Sequence, residues 1–427
     1  MQSPLRRSAA AAALTAILLG ALGLRLYHVD APSIWFDELF AMTASAGHVG
    51  DWYAMPYNRV VQHPLDLTSM RCAAPWSATW NTPDIHPPLY AAILRLWRTF
   101  FGDSGAAARS LSIVASVLAI GLLFDAGRTL FGVAPALWAC ALMATAEYQI
   151  VYGQEATSYA VLSALGMGFL AAAARIDKHG LSWRRGMALV ICGIGMALTH
   201  YYAVGPIAGL GVWGLMRLRR RARVRTIIAA AILGCLTLAI AHGWIEAKID
   251  WIETNAGWMS DHSPGWIERL AFGIADLPAE FLAEPRLPVM GVAALSAVIF
   301  FLPFMVARRQ PGMLPCGLWL LGAVGVVAGA DLLTHSDSVQ YVRLSLLGAP
   351  AFYLILAGMP LRQAWLRHAI PAAGLLGCIM AIPSAYALPL GTKGDWRSVG
   401  RDVASHVRPG DVLVIAAGAT DFLTTPR

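Results

Sequence analysis

Two adjacent acids are the first residues in this chain whose type and setting suggest chemistry. Asp37 and Glu38 lie in IWFDELF, residues 34–40, among bulky apolar and aromatic neighbours shortly after a long hydrophobic run. Two carboxylates are costly to bury in such an aromatic, interfacial stretch, so a polar cavity is the setting in which they make sense. There a carboxylate accepts a proton from an attacking hydroxyl, and partly apolar surroundings raise its pKa toward a useful value. An ordinary solvated pair of loop acids is the plainer alternative.

Four further stretches carry candidate groups. In DIHPPLY, residues 84–90, two prolines start a helix and leave His86 at its entrance. In YGQEATSY, residues 152–159, Glu155 and Tyr159 fall at the junction of two apolar runs. In LTHYYAVGP, residues 198–206, His200 and Tyr201 join two short apolar segments, which places this turn below the membrane surface, where polar side chains need partners or a water-filled cavity. Arg343, in SVQYVRLSLLGAP, sits at the mouth of a span, where a guanidinium can hold a lipid phosphate bidentately. Each has a plain structural alternative: a surface histidine, a helix-ending acid, an Arg reaching the headgroups. No phosphate loop, haem motif, HExxH or zinc cage is present.

The elements that must position these groups are membrane helices. The chain has 427 residues, 57% of them hydrophobic and 13% charged, with a mean hydropathy of +0.58, outside the soluble globular range. Apolar runs at 8–27, 108–127, 133–153, 158–175, 186–203, 205–218, 226–243, 288–307, 314–333, 344–361 and 369–389 predict an all-α polytopic membrane protein of about eleven spans. The first run is expected to remain as an uncleaved anchor. Residues 87–101 carry Arg95 and Arg98, and are expected to lie at the interface. The clusters at Arg175–Arg185, Arg217–Arg225, Arg308/Arg309 and Arg362/Arg367 then share one side with Arg6/Arg7, the positive-inside arrangement. By that topology only Asp125 and Asp177 of the 25 acids are cytoplasmic.

The basic net charge of +7 therefore sets orientation and does not imply nucleic acid. Six scattered cysteines imply no disulfide framework. The expected organisation is a transmembrane catalytic domain over 1–389, with interfacial helices in a first outer loop, 28–107, and an outer tail over 390–427. The tail reads as a helix capped by Asp395 and a strand at 411–417, a small α/β-like unit that packs on the membrane domain or begins a truncated one.

Taken together, these residues resemble the GT-C superfamily of membrane glycosyltransferases, in particular glycosyltransferase family 39 and its bacterial relatives. Those include protein O-mannosyltransferases and the lipid A aminoarabinose transferase. The pair Asp37-Glu38, HPPLY at 86–90, FGDSGAAAR at 101–109, QEATSY at 154–159, TH at 199–200 and the Arg343-to-Pro350 spacing occur in the family's order and cover most of the membrane region. No single motif is specific; their order and shared sidedness are. The resemblance implies transfer of a sugar from a polyprenyl-phosphate donor to an acceptor hydroxyl of a lipid, glycan or protein. The reaction would take place on the outer face of a bacterial inner membrane, with the N-terminus cytoplasmic, Asp37 as base, and Glu38 orienting a neighbouring Arg or His.

The chain departs from the family at two positions. Thr157 stands where an Arg often follows the QE pair, and Leu344 where a Tyr often follows the late Arg. Donor-phosphate contacts thus fall to Arg343 or to a first-loop base such as Arg59 or Arg71. Asp37, Glu38 and Glu155 have the chemistry to bracket a divalent ion, but relatives by resemblance work without one, so no cofactor is expected. A transporter or flippase of lipid-linked sugars is the alternative function. Transporters place ionisable groups near the midplane, whereas these acids gather at one face.

Overall fold

A computed structural model gives the fold, describing residues 4–55, 61–62, 65–82, 86–218, 220–240, 242–246, 265–282, 300–334, 338–408 and 410–413. The helices are α1 (Pro4–Leu26), α2 (Phe36–Ala46), α3 (Val49–Tyr53), α4 (Trp76–Trp80), α5 (Leu89–Phe101), α6 (Gly105–Leu130), α7 (Val133–Thr145), α8 (Glu147–Val151) and α9 (Tyr159–His179). They continue as α10 (Trp183–Ala197), α11 (Val204–Arg217), α12 (Arg220–Ile240), α13 (Trp266–Glu280), α14 (Met313–Thr334), α15 (Val342–Ser345), α16 (Ala349–Gly358), α17 (Leu366–Thr392) and α18 (Trp396–His406). Among the described residues there is no strand. The protein is an all-α polytopic membrane protein.

Six of these helices are long and apolar enough to cross a bilayer: α1, α6, α9, α12, α14 and α17. The other expected spans are built from shorter helices. The run 133–153 breaks at Ala146, whose extended backbone separates α7 from α8. The run 344–361 opens with α15 and a single 3-10 turn before α16, which starts beside Pro350. Residues 288–299 of one expected span, Arg59, and positions 414–417 of the expected tail strand lie outside the described residues.

α6 and α9 form the centre of the bundle, with α7, α10 and α16 packed around them. Their lengths follow from their caps and apolar runs. Ser104 caps α6 through the Ala107 amide at 3.1 Å, and Ser182 caps α10 through the Arg185 amide at 3.5 Å. α11 and α14 approach more closely than side chains would permit. A Cβ at Gly205 would meet the Gly322 carbonyl, one at Gly322 the Gly205 carbonyl, and one at Gly209 the Leu318 carbonyl. Gly205 and Gly209 are the two small residues of a GxxxG pattern, the spacing that lets membrane helices pack backbone to backbone.

α5 anchors the helices that precede it. Arg95 donates to Thr79 Oγ1 and the Ala74 carbonyl, both at 2.6 Å, and Arg98 donates to the Met42 carbonyl at 3.0 Å and Ser45 Oγ at 2.8 Å. The two arginines that keep 87–101 from being read as a span are therefore buried tethers for α2 and α4. At the other end of the chain, α18 is capped by Asp395, and Arg397 pairs with Asp30 at 2.7 Å while its amide donates to Ser33 Oγ at 3.2 Å. The tail thus fastens the turn that leads into α2.

Candidate active site

Asp37 and Glu38 occupy the first turn of α2, where exposed amides favour acidic side chains. One helical step turns the side chain by about 100°, and the two acids accordingly meet different surroundings. Glu38 is fully buried. Its carboxylate receives Arg109 Nε and Nη2, each at 2.7 Å, together with the Ala156 amide at 3.0 Å and the Trp35 amide at 3.5 Å. Arg109, on the first turns of α6, spends its remaining donors on the carbonyls of Val29 (2.7 Å), Pro32 (3.0 Å) and Ser33 (3.1 Å). This pair stitches the 29–33 turn, α2, α6 and the 152–158 loop together. Burial pushes the Glu38 carboxyl's pKa up, but the Arg109 hydrogen bonds and charge, with Lys393 and the Ala156 amide, more than offset it and hold Glu38 below the ordinary carboxylate range.

Asp37 is only partly buried, its side chain 31% exposed, and Arg343 Nη1 lies 2.9 Å from Oδ2. The Arg343 guanidinium also faces the rings of Tyr341 and Trp35, at 5.2 and 5.8 Å. On the Trp35 ring the second cation is Lys393 Nζ, 5.3 Å from the centroid. Lys393, just past the end of α17, reaches Glu155 Oε1 at 2.8 Å and stands 3.9 Å from Glu38 Oε2. Burial lifts the Glu155 pKa to about 7 against the pull of Lys393, and the charges of Glu38 and Asp37 add to the rise. Three carboxylates and three cations are thus interleaved: Asp37 with Arg343, Glu38 with Arg109, Glu155 with Lys393.

Beside this cluster lies a set of rings. His200 is 5.3 Å from His86, 5.8 Å from Tyr159 and 4.8 Å from Tyr201, centroid to centroid. The Tyr202 amide donates to His200 Nδ1 at 3.2 Å, so the neutral ring carries its proton on Nε2. That Nε2, Glu155 Oε2 and Thr157 Oγ1 are buried polar atoms without a hydrogen-bond partner. Polar atoms at such depth are normally satisfied, and three of them close to the acid cluster mark it as a place built to receive a polar molecule.

The fold has known counterparts. ArnT from Cupriavidus metallidurans matches in its apo state at 16% identity and a TM-score of 0.57, over 98% of this chain and 85% of that one. The same protein bound to undecaprenyl phosphate matches at 16% identity and a TM-score of 0.54, over 96% and 84%. The chain has the fold of ArnT. A family model described as dolichyl-phosphate-mannose-protein mannosyltransferase matches residues 85–245. The archaeal oligosaccharyltransferase AglB from Archaeoglobus fulgidus, in complex with an inhibitory peptide and a dolichol-phosphate, is similar at 13% identity and a TM-score of 0.50, over 96% of this chain and 59% of that one. No curated protein matches the sequence.

Within this fold, Asp37, Glu38, Glu155 and Arg343 come together at one end of the bundle, and His86, His200, Tyr159 and Tyr201 form the adjoining ring cluster. Arg71 is exposed in the first loop, apart from these contacts. Sequence reasoning passes over Arg109, Lys393 and Arg25. Arg109 sits inside the quoted FGDSGAAAR stretch, and Lys393 is one of only three lysines in the chain, at the end of the last span. Both signals are visible, but neither says which acid the cation meets. Arg25 hides at the end of the first apolar run, where it donates to Ser116 Oγ at 2.6 Å and to the carbonyls of Ala144 (3.0 Å) and Gln149 (3.1 Å).

Proposed function

We propose that the protein is a glycosyltransferase that moves a sugar from a polyprenyl-phosphate donor to an acceptor hydroxyl at the end of the bundle bearing the acids. The observation that carries this reading is the division of labour in α2: Glu38 is locked by Arg109, while Asp37 is accessible and faces a cation able to bind phosphate. The 85–245 family match and the fold shared with ArnT support the same class of reaction.

In this mechanism the donor phosphate competes with Asp37 for Arg343 and frees the carboxylate. Asp37 then accepts the proton of the acceptor hydroxyl as that oxygen bonds the anomeric carbon and the bond from that carbon to the phosphate oxygen breaks. The departing polyprenyl phosphate carries the electron pair, and Arg343 and Lys393, on either side of Trp35, stabilise its charge. Glu155 orients Lys393, and His200 and Tyr159 position the sugar or acceptor. Arg343 and Lys393 supply at the phosphate the positive charge that a divalent ion would otherwise bring, and we propose metal-independent transfer.

The test is radiolabel transfer from polyprenyl-phosphate sugars to lipid and polymer fractions, run with and without chelator. Asp37→Asn keeps size and hydrogen bonding but cannot take the proton, so activity falls by about 10²-fold or more while donor binding persists. A fully active Asp37→Asn protein overturns the mechanism, and loss of activity with chelator overturns its metal independence.

A further inference from the structure

The cations at the other end of the bundle are gathered around one cavity. α6 and α9 both start beside the acid cluster, and the helical rise from Arg109 to Arg128 is about 28 Å, close to the thickness of a hydrocarbon core. At that remote end a cavity of about 310 Å³ is lined by Arg128 and Thr129 from α6, Arg175, Lys178 and His179 from α9, and Arg185 from α10. Orientation by charge needs only that basic residues lie on one side of the membrane, in any arrangement. Here three helices aim them at a common space.

Two of the guanidiniums are held in place by a single acid. Asp125 Oδ1 receives Arg128 Nη2 at 2.8 Å and Arg175 Nη2 at 2.6 Å, so one carboxylate fixes both. Arg185 Nη1 is held by the carbonyls of His179 at 3.0 Å and Gly180 at 2.7 Å. The nearby Asp177 is engaged elsewhere, by Arg217 at 2.6 Å. Four permanent cations therefore face the cavity with one carboxylate among them, and three of the four are fixed in position. Pre-set guanidiniums with uncompensated charge form a fork geometry matched to phosphate oxygens.

We propose that this cavity is a phosphate-binding site, distinct from the acid cluster, that takes the phosphate of an anionic lipid headgroup or of a soluble phosphate compound at that membrane face. The site is open to the surface, as a headgroup entering sideways or a soluble anion entering from water both require. Basic pockets between membrane helices are a recurring lipid-headgroup site.

The experiment uses the full chain and measures thermal unfolding in phosphatidylcholine nanodiscs, in nanodiscs that also contain phosphatidylglycerol, and in phosphatidylcholine nanodiscs with added inorganic pyrophosphate. The variant Arg175→Gln/Lys178→Gln removes two lining cations, and Arg184→Gln/Arg308→Gln removes two that do not line the cavity. Lys178→Gln alone leaves the Asp125 bridge intact and covers the case in which the double variant folds poorly.

Wild type and the Arg184/Arg308 variant should be stabilised by one of the two anions. Apparent affinity should drop about 5-fold for Lys178→Gln and about 25-fold for the Arg175/Lys178 variant, as expected for roughly one near-surface charge interaction lost per cation. A response to phosphatidylglycerol alone makes the ligand a headgroup, and a response to pyrophosphate makes it a soluble phosphate. Equal losses in the lining and non-lining variants would show a general charge effect and overturn the site, as would no response to either anion.

Discussion

Glu38 and Asp37 are neighbours whose substitutions should fail in different ways. Glu38→Gln leaves Arg109 buried without its counter-charge, a defect of about 3–5 kcal/mol, so the variant should unfold at markedly lower temperature while its folded fraction still transfers sugar. Asp37→Asn should keep near-wild-type stability and lose activity; the two thermal unfolding curves, set beside the transfer assay, check the pair. Glu155 gives a pH signature. Its folded-state pKa of about 7 lies above the ordinary value, so the folded protein binds this proton more tightly than the unfolded chain. The stability this contributes is fully present below the ordinary carboxylate range and is lost as pH rises through about 7. Wild type should therefore lose stability relative to Glu155→Gln across that window, and a pH-independent difference between the two unfolding temperatures would rule it out. The acids, His86, His200 and Arg343 were legible because their types are out of place among apolar neighbours. Their pairing was not: Glu38 meets Arg109 and Glu155 meets Lys393 across contacts far apart in sequence, which local pattern does not encode.

Helix positions were legible to the extent that the apolar runs reach the thickness of a bilayer. α6, α9 and α14 follow them closely, but the run 133–153 conceals the break at Ala146. That break depends on Arg25, which occupies carbonyls that α7 and α8 would otherwise leave unpaired, and hydropathy cannot report a single long-range side chain. Gly153 belongs to the same arrangement, since a Cβ there would stand 2.8 Å from Arg25 Nε and 2.8 Å from the Gln149 carbonyl. The α11–α14 contact is the clearest test of element packing. Gly205→Leu must push α14 away from α11, an overpacking strain of about 1–3 kcal/mol or more. Because α14 packs against the 3-10 turn Ser338–Gln340 and against α15, which carries Arg343, transfer activity should fall along with unfolding temperature. Val212→Leu, on an exposed face of α11, should change neither. A Gly205→Leu protein with wild-type stability and activity would show that the two helices do not need to touch.

On the scale of the whole molecule the charges form two poles joined by α6 and α9. Asp37, Glu38 and Glu155 with their partners lie at one pole, and Arg128, Arg175, Lys178 and Arg185 at the other. A chain with this separation has two ways to cross a membrane, and we propose that the basic pole is the one kept on the cytoplasmic side, as the positive-inside rule favours. The protein carries its own reporter of the outcome. Cys72 is exposed in the loop that α5 tethers, on the side of the acids, while Cys140, Cys316 and Cys378 are buried. In sealed cells an impermeant thiol reagent should label wild type, and Cys72→Ser should abolish the signal, since the half-buried Cys192 and the exposed Cys235 lie on the apolar helices α10 and α12, out of reach of a water-borne reagent. On that unlabelled background Leu181→Cys, in the exposed turn between α9 and α10, should react only after the cells are opened. Ala54→Cys, just past α3, should restore labelling in sealed cells. Labelling of Leu181→Cys in sealed cells would reverse the molecule in the membrane and move the proposed transfer to the cytoplasmic face, with the two poles exchanged.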